Sequence, residues 1–367
     1  MTQLPQQVSP HVATAWLKDP LFDLSFIFGI TVLAFGMATA TIISPALFIP
    51  MLTLHIWALG YDHVLATLTK LAGLPEDRAR NRFLIFGLPI LVLVGMTTLG
   101  MRLGVVALNT LYLFGQLFHT TRQSWGLAQQ YRHKAGGLPW DNVHLSELTL
   151  WALPLWGILN RCHQQPAEFL YQDIWMPQVP LWLVQVAGVL STALLIIWLL
   201  MRVRAYRKGE LALGHTLYLL THFVVFAFSY LIIDDVNSGW LLVNVWHNAQ
   251  YLVFVWLHNR QRFASGVRRD AKLLSWLSQP GTGRATLYYV TLMVVATPFY
   301  LFLYRVGAKL DSYIPGQLVS MVLVLSLTLN FHHYLVDGII WKRKRQIASS
   351  DRQLTAELYV AESNRRM

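Results

Sequence analysis

Residues 318–345 read "LVSMVLVLSLTLNFHHYLVDGIIWKRKR". A helix of about 20 apolar residues, at 1.5 Å rise per residue, crosses the ~30 Å hydrocarbon core of a bilayer. This run is that long, and it ends on a burst of lysine and arginine, which stay on the cytoplasmic side during insertion. The stretch therefore reads as a membrane span stopping at the inner face. Inside it stand His332, His333 and Asp337. Polar groups in a span are expensive and tend to face a bundle interior or a polar cavity, so they ask for an explanation.

The run has counterparts along the whole chain. Of the 367 residues 55% are hydrophobic and only 13% charged. The apolar residues gather in about ten long runs: Leu21 to Ser44, Ala46 to Leu71, Phe83 to Leu99, Val105 to Trp125, Leu145 to Leu159, Val179 to Met201, Leu211 to Ile233, Trp240 to Leu257, Ala285 to Leu303 and Leu318 to Trp341. The expected fold is all-α, a polytopic membrane bundle of about ten transmembrane helices. With both termini cytoplasmic, only Arg102, Arg161, Arg305 and Lys309 fall in outer loops, the asymmetry that insertion requires. Residues 1–20 then form a cytoplasmic N-terminal segment, 21–341 a single transmembrane domain and 342–367 a basic cytoplasmic tail. The N-terminus lacks the basic region and short apolar stretch of a cleavable signal, so the first span is expected to direct insertion.

The same topology accounts for the net charge of +11 without nucleic acid: "RVRAYRK", "NRQRF" and "KRKR" lie where anionic headgroups would meet them. Within the longest inner connection, "DAKLLSWLSQPG" reads as a short interfacial helix. Cys162, the one cysteine, excludes a disulfide framework and a cysteine-ligated metal site. Any metal must rest on histidine and carboxylate.

Nine of the 13 histidines lie in or at the ends of the runs: His55, His63, His119, His215, His222, His247, His258, His332 and His333. The second, fourth, eighth and tenth runs all pass from outside to inside, so His63, His119, His332 and His333 fall at a similar depth, with His55 and His247 nearer the middle. Helical spacing puts His55 and Asp62 on one face, His119 between Gln116 and Gln123, Asn244, His247, Gln250 and His258 along one side, and His333 above Asp337, with His332 turned about 100° away. Neutral imidazole with a nearby carboxylate suits a transition metal, non-haem iron in particular. The candidate ligands are His55, His63, His119, His247, His332, His333, Asp62 and Asp337, with His222 and His258 as additions. Asp62, Asp337 and Gln250 are candidates for orienting ligands or taking part in catalysis. For His215, His222 and His258 an interhelical hydrogen bond is an equal reading. Arg122, one turn past His119, stands where it could hold a substrate carboxylate or phosphate or simply snorkel to the interface.

"LHIWALGYDH" and "LFHTTRQ" resemble the retinal-forming β-carotene dioxygenases of bacteria and archaea. The resemblance implies a multi-span protein of a prokaryotic inner or plasma membrane holding one iron, with His55, His63, His119 and His247 in the ligand places. "FHHYLVD" is similar to the histidine boxes of membrane fatty-acid desaturases and hydroxylases, although the third histidine is missing and no H-x-x-x-H occurs. Both likenesses imply an iron-dependent oxygenase or desaturase acting on a lipophilic substrate. The chain shows no nucleotide-binding motif, so reducing equivalents would come from an external electron donor. Two other classes stay open: a haem-binding electron-transfer protein, with His247 and His333 as axial ligands, and a proton- or ion-coupled transporter.

Overall fold

The computed structural model describes residues 15–136, 141–281, 283–313 and 318–341. The basic tail, most of the N-terminal segment and His11 lie outside the described residues. The chain is helical almost throughout: α1 (Pro20–Ile43), α2 (48–71), the short α3 (Pro75–Arg80), α4 (83–103), α5 (105–134), α6 (Val143–Gln164), α7 (Leu181–Arg207), α8 (Leu213–Ile232), α9 (Val236–Arg262), the short α10 (Lys272–Leu277), α11 (Arg284–Tyr313) and α12 (Met321–Ile340). A two-residue hairpin, β1 (Glu168–Phe169) with β2 (Gln172–Asp173), sits between α6 and α7.

Side chains fix where the helices begin. Asp19 caps α1 through the Phe22 amide (2.8 Å), Asn142 caps α6, Asp235 caps α9 and Ser320 caps α12. Gly104, at φ +75°, turns the chain between α4 and α5, a conformation that costs a residue with a Cβ. The expected third and fourth runs are thus two limbs of one stretch, Phe83–Lys134, bent at that glycine.

Among the described residues six helical stretches are long and apolar enough to cross a membrane: α1, the α4–α5 stretch, α7, α8, α11 and α12. The protein is a membrane-embedded helical bundle. Its outer surface is apolar, with Val189, Leu200 and Val294 all more than 60% exposed. The helix α9 falls outside the six because it is polar, and its position explains why: every residue from Trp240 to Leu252 is buried. A helix wrapped by others on all sides can carry Asn244, His247, Asn248 and Gln250 without presenting them to lipid.

Among the described residues four helices contain a π-helical turn, at Ser25–Gly29, Ile56–Gly60, Phe83–Gly87 and Phe228–Ile232. Each adds one residue to the helical repeat and rotates the C-terminal part of its helix relative to the N-terminal part. The second and third of these turns determine which side chains reach the site.

Candidate metal centre

Helices α2, α5, α9 and α12 each deliver one histidine to a common point: His63, His119, His247 and His333. His333 Nε2 lies 2.7 Å from His63 Nε2 and 3.1 Å from His119 Nε2. The His247 ring centroid is 4.8 Å from that of His63 and 5.1 Å from that of His119. A nitrogen from each of His63, His119 and His247 falls within 4.8 Å of the other two, and His119, His333 and Asp337 form a second such group. All five residues are buried. Tyr334 stacks on His119 at 4.2 Å and 22°, holding that ring in place.

One turn below, the pattern repeats in a different chemistry. Each of the four histidines has a hydrogen-bonding side chain four residues on: Thr67, Gln123, Tyr251 and Asp337. On an α-helix that offset stacks one side chain beneath another, so four roughly parallel helices build two layers. The lower layer centres on Asp337. Its Oδ1 accepts from the Tyr251 hydroxyl (2.8 Å) and the Thr67 hydroxyl (3.2 Å), and its Oδ2 accepts from the Gln123 amide. Thr67 Oγ1 also lies 2.8 Å from His333 Nδ1. When Thr67 gives its single proton to Asp337, or to the Tyr251 hydroxyl 2.8 Å away, it accepts from His333, which puts the proton of that ring on Nδ1. The lone pair of Nε2 is then free to face His63 and His119. Asp337 thus acts through Thr67 on the orientation and tautomer of His333, the usual task of a carboxylate behind a metal-binding histidine.

The donor set fits a transition metal. The Nε2 atoms of His63, His119 and His333 face one another, with Asp337 Oδ2 3.8 Å from His333 Nε2, and buried His247 Nε2 has no hydrogen-bond partner among the described residues. His333 Nε2 offers one in-plane lone pair to both His63 Nε2 and His119 Nε2, so an imidazole proton satisfies one of these contacts and leaves the other unpaired, a convergence that a metal ion would satisfy. The nitrogens lie within the span that ligands of a single transition-metal ion bridge: 2.7 Å for His63–His333, 3.1 Å for His119–His333, and within 4.8 Å among His63, His119 and His247. His63, His119, His247 and His333 would hold the ion, with Asp337 behind them.

The remaining expected residues lie elsewhere, each for a definite reason. Seven residues of regular helix would align His55 with Asp62, but the π turn at Ile56–Gly60 adds one, so His55 shares a face with His63 instead. His55 accepts from Asn248 Nδ2 (3.3 Å) and meets Trp240 edge-on, next to the centre and outside its ligand group. Asp62 is rotated out of the cluster. Its carboxylate is buried with no hydrogen-bond partner among the described residues, on the flank where Tyr61 stacks on Tyr300 of α11. The expectation that His55 and Asp62 share a face is corrected on this geometry.

Two other histidines repair backbone left unpaired by proline. Pro154, inside α6, has no N–H for the Leu150 carbonyl, and His222 Nε2 lies 3.1 Å from that oxygen. In the π turn at Phe83–Gly87 the Leu88 amide bonds to Phe83, and Pro89 has none to give Leu84; His332 Nε2 lies 2.7 Å from the Leu84 carbonyl. His222 and His332 are therefore bound to carbonyls outside the cluster. Gln250 accepts from the Tyr218 hydroxyl at 3.4 Å, and His258 packs edge-on to Trp341 at 5.1 Å; neither reaches the histidine point. His163 meets the Val179 carbonyl, and His133 and His144 are exposed.

A cavity of about 440 Å³ runs between α5 and α12 and touches the centre at His119 and Asp337. Aromatic and aliphatic side chains form most of its wall, including Phe118, Trp125, Phe254, Phe331 and Leu335. Phe118 and Leu335 are 55% and 47% exposed on the lipid-facing surface. The volume lies within the range of small-molecule sites.

The chain is thus a membrane-embedded helical bundle with a buried four-histidine cluster reached by an apolar cavity. Comparisons with family models, with curated proteins and with solved structures returned no match.

Proposed function

We propose that the protein is a membrane-bound, metal-dependent oxidoreductase of the oxygenase or desaturase type, acting on a lipophilic substrate. The observation that carries this reading is the convergence of four imidazole nitrogens beside an apolar cavity that opens toward lipid. Non-haem iron is the ion best suited to histidines backed by a carboxylate. When bound it would supply a redox-active Lewis acid able to activate O₂ beside the substrate.

The residues of the chain contribute position and exclusion. His63, His119, His247 and His333 fix the ion from four separate helices. Thr67, Tyr251 and Gln123 hold Asp337, which keeps the His333 proton on Nδ1. Bulky apolar walls, including Phe331 and Trp125, exclude water and admit a hydrocarbon chain up to His119. Electrons would reach the site from a partner on the cytoplasmic side.

The geometry argues against haem. The ring centroids of the pairs His63–His119, His63–His247, His63–His333, His119–His247 and His119–His333 stand 4.5–6.1 Å apart, which leaves no slab for a macrocycle between the rings of any of these pairs. A transporter reading has no comparable observation in its favour.

We further propose that the bundle crosses the membrane about ten times with both termini cytoplasmic. The two-layer site supports this topology, because α2, α5, α9 and α12 all place the polar layer C-terminal to the histidine layer and so run the same way. That requires an odd number of crossings between each successive pair. A prokaryotic inner or plasma membrane is the proposed location. Elemental analysis of the purified chain tests the reading: iron at near-stoichiometric occupancy without a Soret band is expected, and absence of any bound transition metal overturns it.

A further inference from the structure

The cavity beside the centre has two chemically distinct ends. Level with His119 its wall is apolar, formed by Phe118, Phe331, Tyr334 and Leu335; one to three turns further along α5 come Arg122, Gln129 and Gln130. Among the described residues lining it, Arg122 carries the one fixed positive charge. Its Nη2 donates to the Gly338 carbonyl at 2.5 Å, and among the described residues no carboxylate forms an ion pair with it. The guanidinium packs against Gly338, where a Cβ would collide with it. It is therefore seated in the cavity wall by a bond and by the missing side chain, with most of its five N–H donors left over. Gly338 follows His333 by five residues, about 7.5 Å along the helix at 1.5 Å per residue.

We propose that the cavity takes a single-chain amphiphile with an anionic head, carboxylate or phosphate, the head held by Arg122 and the chain lying between α5 and α12. A carbon a few atoms from the head would then face His119. This substrate class rests on the metal-centre reading. An anionic head suits a guanidinium, which binds carboxylate and phosphate by paired charge-assisted hydrogen bonds. The cavity volume, toward the low end for ligand sites, suits one acyl chain rather than two.

The test uses the full chain in dodecyl maltoside micelles, with palmitate, palmitoyl lysophosphatidate and hexadecanol competing against a fluorescent fatty acid. Palmitate or the lysophosphatidate is expected to bind at least about tenfold more tightly than hexadecanol, a gap that Arg122→Gln removes and Arg122→Lys largely keeps. Tighter palmitate identifies a free fatty acid as the ligand; tighter lysophosphatidate identifies a phospholipid head. Gly126→Leu provides a second variant, because Gly126 lines the cavity and an added Cβ meets nothing within 4 Å. It should weaken all three ligands together. Equal binding of acid and alcohol to the unaltered chain, or acid binding untouched by both Arg122→Gln and Gly126→Leu, overturns the proposal. Metal content is read on the same samples. Retained metal without head-group discrimination defeats this inference alone, and Arg122-dependent palmitate binding by metal-free protein defeats the metal-centre reading alone.

Discussion

His222 separates a structural histidine from a ligand, and Pro154 makes the separation measurable. In the unaltered chain the Leu150 carbonyl is denied its helical donor by Pro154 and receives His222 Nε2 at 3.1 Å. His222→Leu keeps the approximate volume and removes that donor. Leaving a buried carbonyl unsatisfied costs roughly 1–3 kcal/mol, and polar contacts between membrane helices measure about 0.6 kcal/mol on average with a maximum near 1.7. The same substitution also removes His222 Nδ1, itself buried without a partner among the described residues, which offsets part of the loss. The coupling between two sites is therefore a cleaner quantity than either variant alone. In a Pro154→Ala background the new amide of residue 154 bonds to Leu150, and His222→Leu should then cost about 1 kcal/mol less than it does beside proline. The assay is reversible unfolding in mixed micelles titrated with SDS, over the four proteins of the cycle, with metal content recorded for each. Metal should remain in all four. A cost for His222→Leu that is the same in both backgrounds, or loss of metal on that substitution, would refute the reasoning.

The same geometry sets other outcomes. Asp337→Asn should lower metal affinity about 10- to 100-fold by competition with a chelator, because it disturbs the Thr67 link that sets the His333 tautomer; affinity within twofold of the unaltered chain would contradict that link. His55→Ala should leave metal occupancy intact while His333→Ala abolishes it, and elemental analysis of the two variants side by side reads the difference. Since imidazoles bind metal only when neutral, occupancy should hold at neutral pH and fall in acid as protons compete for the ring nitrogens, monitored by equilibrium dialysis at stepped pH. Gly104→Ala should destabilise the bundle by about 1 kcal/mol, since only glycine takes φ +75° without strain.

Much of this arrangement is legible from residue order alone. Apolar runs of about 20 residues place the long helices, and the four histidines of the cluster lie in four runs expected to pass through the membrane the same way. A further signal is present in the sequence and goes unread by polarity alone: His63–Thr67, His119–Gln123, His247–Tyr251 and His333–Asp337 all repeat one offset of four. Thr67 and Tyr251, the two residues that sequence reasoning missed, stand out only when the four helices are aligned on their histidines. Other features have no local signal. The π turn at Ile56–Gly60, which rotates Asp62 out of the site and brings His55 onto the His63 face, depends on packing against α9 and α11. His222 and His332 look like any membrane histidine until Pro154 and Pro89 are seen across the interhelical gap, because the carbonyl each serves lies on a different helix.

The central claim is that four histidines from four helices hold one kind of transition metal, and X-ray absorption on the purified chain tests it most directly. An iron edge near one equivalent per chain, with a nitrogen-dominated shell at about 2.1 Å that is lost on His247→Ala, is the result expected. A chain without iron, zinc or copper at near-stoichiometric occupancy, or one whose metal shell survives His63→Ala, His119→Ala, His247→Ala and His333→Ala unchanged, would contradict it.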